Sequence, residues 1–113
     1  AFERRRDLGE VSGRWSDLVV LTEEDSGEED TLSICWQIAG YVDAQGCREI
    51  IEPDRGAAMC LALTECRTPL VALITGKGAE TRQKRGTAYI DTPSDVDYVL
   101  AFLQEYDRTH SEE

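Results

Sequence analysis

Cationic residues are scarce in this sequence, and so are histidine, proline and long apolar runs. The chain sets 12 Lys and Arg against 23 Asp and Glu, a formal net charge of −11 over 113 residues. Such a deficit excludes a duplex nucleic-acid binder, which needs a basic excess on one face. It also argues against docking on an anionic membrane surface. The single histidine, His110, lies in a polar tail, so neither a His-based zinc site nor a Ser-His-Asp triad can be built around it. The four cysteines, Cys35, Cys47, Cys60 and Cys66, contain no Cys-x-x-Cys pair and sit within or beside apolar segments. That is the pattern of reduced, mostly buried thiols in a cytoplasmic protein. No apolar run approaches the roughly 18 residues of a membrane-spanning helix, and no signal peptide is visible.

What is present suits one modest core. Apolar residues make up 41% of the chain, and its length corresponds to one domain or less. Arg5 to Gly13 predicts a short helix stopped by glycine. The apolar run from Asp17 to Thr22 predicts a buried strand. A helix is expected from about Thr31 to Val42, with Leu32, Cys35, Trp36, Ala39 and Val42 on one side. Cys47 to Pro53 predicts a second strand, and Asp54 an N-cap for a helix running to Cys66. Pro69 to Thr75 is continuously apolar and predicts a central parallel strand. Thr87 to Asp91 predicts a short strand, and Thr92 with Pro93 the start of a helix whose stripe is Val96, Val99, Leu100, Leu103 and Tyr106. Residues 108–113 are expected to form a frayed tail. Alternating strands and helices imply an α/β fold with a mainly parallel sheet flanked by helices.

Two loops stand out, and each follows an apolar strand. Ligands bind at the carboxyl ends of strands in such sheets, so the two loops are expected on one edge. In the first, six of the eight residues Glu23 to Asp30 are acidic. It lacks the alternating acids and distant glutamate of a calcium EF-hand loop. It reads either as a solvated face or as a pocket for a cationic group or a divalent metal. The second spans Gly76 to Gly86. Gly78, not Ser or Thr, follows Lys77, so a triphosphate-binding P-loop is excluded. Gly76-Lys77-Gly78 is followed by Ala79, Glu80 and Thr81, so the dinucleotide pattern fails as well. Two glycines, one cation and one carboxylate suit a zwitterion such as an amino acid as well as a phosphate. The same glycines also suit a plain turn.

Taken in order, the stretches from Ser16 to Asp30, Glu52 to Leu63 and Val71 to Gly86 resemble the C-terminal domain of Mur ligases. The likeness is nearest to the MurE, tripeptide-synthetase type, and covers nearly the whole chain. It implies a Rossmann-like domain from a cytoplasmic bacterial enzyme of peptidoglycan synthesis. In that family an ATP-dependent reaction activates a carboxylate of the UDP-linked precursor, and the incoming amino acid attacks it. The C-terminal domain presents the amino acid to the N-terminal and central domains. The resemblance therefore implies ATP and magnesium in a parent enzyme and neither in this chain. It also implies UDP-MurNAc-dipeptide and the third amino acid as partners, and no catalytic or metal-ligating residue in this chain.

Gly76 and Glu80 match the family's contacts to the amino acid, with Glu80 accepting from an ammonium. Ala79 replaces the usual histidine. Asp25 falls at the Asn, Ser26 at the Pro and Gly27 at the Arg of the Asp-Asn-Pro-Arg loop of diaminopimelate enzymes. That arginine forks onto a distal carboxylate, which a glycine cannot do. An acidic loop favours a distal ammonium, so L-lysine is the expected amino acid. Glu24, Gly27, Arg4, Arg5 and Lys77 are secondary candidates. The start of the chain is expected to cut into the domain, leaving a partial domain that cannot ligate alone. The alternatives are a non-catalytic amino-acid-binding or regulatory module of the same fold and a receiver-like signalling domain.

Overall fold

A computed structural model of the chain describes residues 2–23, 30–65, 71–75, 82–85 and 88–110. The order is α1 (Phe2–Trp15), β1 (Leu18–Leu21), α2 (Thr31–Ala44), β2 (Arg48–Ile51), α3 (Arg55–Glu65), β3 (Arg82–Arg85), β4 (Ala88–Asp91) and α4 (Asp95–His110). β1 and β2 run parallel, with Leu18 opposite Arg48 and Leu21 opposite Ile51. α2 is the crossover between them, as a parallel pair requires.

The core lies between this pair and α2. Its buried members are Leu21, Cys35, Ile38, Ala39, Val42 and Cys47, with Val19, Ile34 and Ile51 packed against them. The buried face of α2 is therefore Cys35, Ile38, Ala39 and Val42, an i, i+3, i+4, i+7 stripe. Leu32 and Trp36, expected on that face, are 44% and 67% exposed. Ile38 faces inward instead, because α1 covers the neighbouring side of the helix. Asp30 caps α2 by accepting from the Ser33 amide at 3.2 Å. At the other end Gly46, with φ 77°, takes the left-handed conformation that releases the chain toward β2.

Glycine does not stop α1 at residue 13. Gly9 and Gly13 are one helical turn apart and let the backbones of α1 and α2 touch. A Cβ at Gly9 would lie 2.7 Å from the Tyr41 Cβ, and one at Gly13 would lie 2.9 Å from the Val42 Cα. Gly13 thus works as a packing residue inside the helix, which continues to Trp15.

The second half departs further from expectation. Residues 71–75 form no strand, and Val71 and Leu73 are 99% and 88% exposed. A central strand would need backbone partners on both sides, and among the described residues β1 pairs only with β2. Pro69 and Leu70, the start of the expected strand, lie outside the described residues. Within the Gly76 to Gly86 stretch, Arg82–Arg85 form β3 and pair antiparallel with β4, Arg85 opposite Ala88. Two residues separate these strands in the sequence, a length that suits an antiparallel hairpin and not a parallel crossover. The described strands therefore form two separate two-stranded sheets, one parallel and one antiparallel, and not one mainly parallel sheet.

α4 starts at Asp95, not at Pro93, and its cap is Ser94 rather than Thr92. The Asp97 amide donates to the Ser94 Oγ at 3.1 Å, and the Ser94 amide donates to Asp97 Oδ2 at 3.0 Å. This reciprocal arrangement satisfies two backbone donors at the helix entrance. Of the expected stripe, Val96, Leu100, Leu103 and Tyr106 are 51%, 53%, 45% and 41% exposed. The helix remains regular through Thr109 to His110. No helix among the described residues is long and apolar enough to cross a membrane.

Candidate functional site

The carboxyl ends of β1 and β2 are tied together first. The Glu52 amide donates to the Leu21 carbonyl at 2.9 Å, and the Glu23 amide to the Pro53 carbonyl at 3.3 Å. The Thr22 hydroxyl donates to the same Pro53 carbonyl at 3.2 Å. The chain then turns into α3, where the Asp54 carboxylate accepts from the Gly56 amide at 3.2 Å and caps the helix as the sequence predicts.

Arg55, the first residue of α3, organises everything beyond this point. It is 7% exposed, and the carboxylate of Asp95, the first residue of α4, is its ion-pair partner. Nε donates to Asp95 Oδ1 at 2.6 Å and Nη2 to Asp95 Oδ2 at 2.7 Å, a planar fork on a carboxylate. The same guanidinium reaches two main-chain carbonyls. Nη1 donates to the Glu23 carbonyl at 2.9 Å, and Nη2 to the Thr75 carbonyl at 2.7 Å. A cation at a helix N-terminus is unfavourable in the field of the helix, whereas an anion there is favourable. Asp95 supplies the compensating charge and at the same time suits the start of its own helix.

Small residues after Arg55 make the approach of α4 possible. A Cβ at Gly56 would lie 2.7 Å from the Tyr98 ring, so only glycine lets that ring rest on the first turn of α3. Ala58 is buried one turn on. No buried side-chain polar atom lacks a hydrogen-bond partner among the described residues.

Glu23 is the first residue of the acidic loop singled out in the sequence, and Thr75 directly precedes the glycine–lysine loop. One guanidinium therefore ties the start of one loop to the residue before the other, although the strand expected before the second loop is absent at residues 71–75. Asp25, Gly76 and Glu80, with Glu24, Gly27 and Lys77, lie outside the described residues. The two remaining candidates are on α1. Arg4 is exposed, and the Arg5 guanidinium donates to Gln37 Oε1 at 2.8 Å across the α1–α2 seam. Sequence reasoning missed Arg55 and Asp95 as site-forming residues. The available signals were an arginine directly after an N-cap and an acid at the first position of the last helix.

The two buried thiols of the core are structural. Burial and then the nearby Asp30 carboxylate push the Cys35 thiol up, and its Sγ lies 3.9 Å from the Thr22 carbonyl. Burial, Asp17 and Glu49 push the Cys47 thiol up in the same way. Both stay protonated at neutral pH and are poor nucleophiles. Cys35, Cys47 and Cys60 are all free. Among the described residues no group of three or more His, Cys, Asp or Glu is placed to hold a metal ion.

No family model matches the chain. Individual proteins do. The chain is 36% identical over 110 residues to a UDP-N-acetylmuramyl-tripeptide synthetase of Lactobacillus delbrueckii subsp. bulgaricus, covering 95% of this chain and 21% of that protein. It is 38% identical over 99 residues to the enzyme of the same name from Lactobacillus acidophilus, covering 87% and 18%. It is also 39% identical over 88 residues to a UDP-N-acetylmuramoyl-L-alanyl-D-glutamate–2,6-diaminopimelate ligase of Alkaliphilus metalliredigens, covering 77% and 18%. The chain spans about one-fifth of the length of these relatives. By sequence it belongs with the Mur ligases of the tripeptide-synthetase type, as a homologue of their C-terminal domain.

Proposed function

We propose that this chain serves as the amino-acid-presenting domain of an ATP-dependent ligase that adds the third residue to UDP-MurNAc-dipeptide in the bacterial cytoplasm. The observation that carries the reading is the Arg55 guanidinium, which sets the Glu23 and Thr75 carbonyls on one edge. The acidic loop and the glycine–lysine loop start at these residues, and the proposal places one small ligand between them. Glu80 is assigned to the ammonium of the amino acid, and Gly76 to close backbone approach. The acidic loop, with Asp25 and Glu24, is assigned to the far end of the side chain.

Charge selects L-lysine. A distal ammonium is attracted by the acidic loop, and Gly27 offers no guanidinium for a distal carboxylate. Relatives at comparable identity carry both tripeptide-synthetase and diaminopimelate-ligase names, so this choice rests on the loop residues alone. Bound as an ammonium, the amine must lose a proton before it attacks the activated carboxylate that the other domains supply.

The full-length ligase tests the reading. ADP formation is expected to require both UDP-MurNAc-dipeptide and an amino acid, with kcat/KM higher for L-lysine than for meso-diaminopimelate. ADP formation that ignores the amino acid contradicts the presenting role. A preference for diaminopimelate contradicts the charge assignment only.

A further inference from the structure

We infer that Arg55 is a positioning residue of the amino-acid site, fixing the spacing of the two loops, and that Asp95 fixes Arg55; this rests on the reading above. A guanidinium is planar and presents its donors in a rigid fork. With Nε and Nη2 on the two oxygens of Asp95, the plane is set, and the remaining donor directions are set with it. Those directions meet the Glu23 carbonyl at 2.9 Å and the Thr75 carbonyl at 2.7 Å. Glu23 lies two positions before Asp25, and Thr75 directly before Gly76 and five positions before Glu80. A shift at either root is carried along the chain to the residues assigned to the ligand within a few bonds. Arg55 is 7% exposed and Asp95 4%, so neither offers its charge to a ligand directly. The pair acts through the loops. Lysine at position 55 would keep the charge but offer donors from a single nitrogen, which cannot span the carboxylate and both carbonyls.

In the full-length ligase, Arg55→Lys and Asp95→Asn are expected to raise KM for the amino acid about tenfold or more, since misplacement by about 1 Å is costly. KM for ATP and for UDP-MurNAc-dipeptide should stay within about twofold. Equal rises in all three constants, or none, would overturn the inference. Amide hydrogen exchange in the 113-residue chain reads the clamp without ligation. Arg55→Lys is expected to speed exchange over residues 22–23 and 74–75 together, while residues 38–42 keep their protection. A wild-type enzyme that does not ligate removes the ligase reading but leaves the clamp standing if both roots loosen. Loosening at one root only, or at neither, overturns the clamp.

Discussion

The two halves of the molecule are held by different physics. In the first, α1, β1, α2 and β2 surround an apolar core in which Val42 is 0% exposed. In the second, α4 leaves Val96, Leu100 and Leu103 about half exposed, and its deepest anchor is the Arg55–Asp95 ion pair. Apolar burial is non-directional and tolerates small shifts, so it builds a scaffold. A forked ion pair has one geometry, so it fixes positions. The polar lock sits where the candidate ligand loops begin, and the apolar core sits behind it.

Single substitutions separate the two modes. Asp95→Ala leaves a buried guanidinium without its carboxylate and is expected to cost about 3–5 kcal/mol. Denaturant unfolding of the chain measures this, and a cost below about 1 kcal/mol would mean that the pair is not buried in solution. Gly13→Ala comes next. Its Cβ would press on the Val42 backbone, with the nearest atoms at 2.9 and 3.0 Å, and backbone cannot rotate away. Overpacking costs about 1–3 kcal/mol and the gain in helix propensity returns about 1, so a net loss of up to about 2 kcal/mol is expected. A stabilised Gly13→Ala would show that α1 does not lie against α2. Leu100→Ala should cost least, below about 1 kcal/mol, because the side chain is 53% exposed. A larger loss would place α4 against an apolar partner and erase the contrast between the halves.

The sequence made the first half legible because apolar spacing reports burial directly. β1, α2 and β2 appear within two residues of their expected bounds at every end, and the stripe through Cys35, Ala39 and Val42 is correct. Ile38 was missed because spacing alone does not say which neighbour covers a helix flank. Gly13 was misread for a related reason. A glycine near a helix end commonly marks a stop, and only the partner helix reveals a close approach. Residues 71–75 show the opposite failure: an apolar run sets the wish for burial, not the presence of a partner strand. β3 has no apolar pattern at all, so only the short separation from β4 signalled it.

The site edge was legible as topology but not as chemistry. Two loops after two expected strands predicted a shared sheet edge; no strand forms at residues 71–75, and what brings Glu23 and Thr75 together is one guanidinium on both carbonyls. The residue that joins them was invisible because its partner stands 40 positions away and both look like helix-start residues. Pairing at that separation is a tertiary fact that periodicity does not encode.

The most direct test of this account is a double-mutant cycle on the chain's stability with Arg55→Ala, Asp95→Ala and both together. The account predicts strong coupling, about 2–3 kcal/mol, with the double variant much less damaged than the sum of the singles. Additivity within about 0.5 kcal/mol would contradict it, because residues that do not interact add.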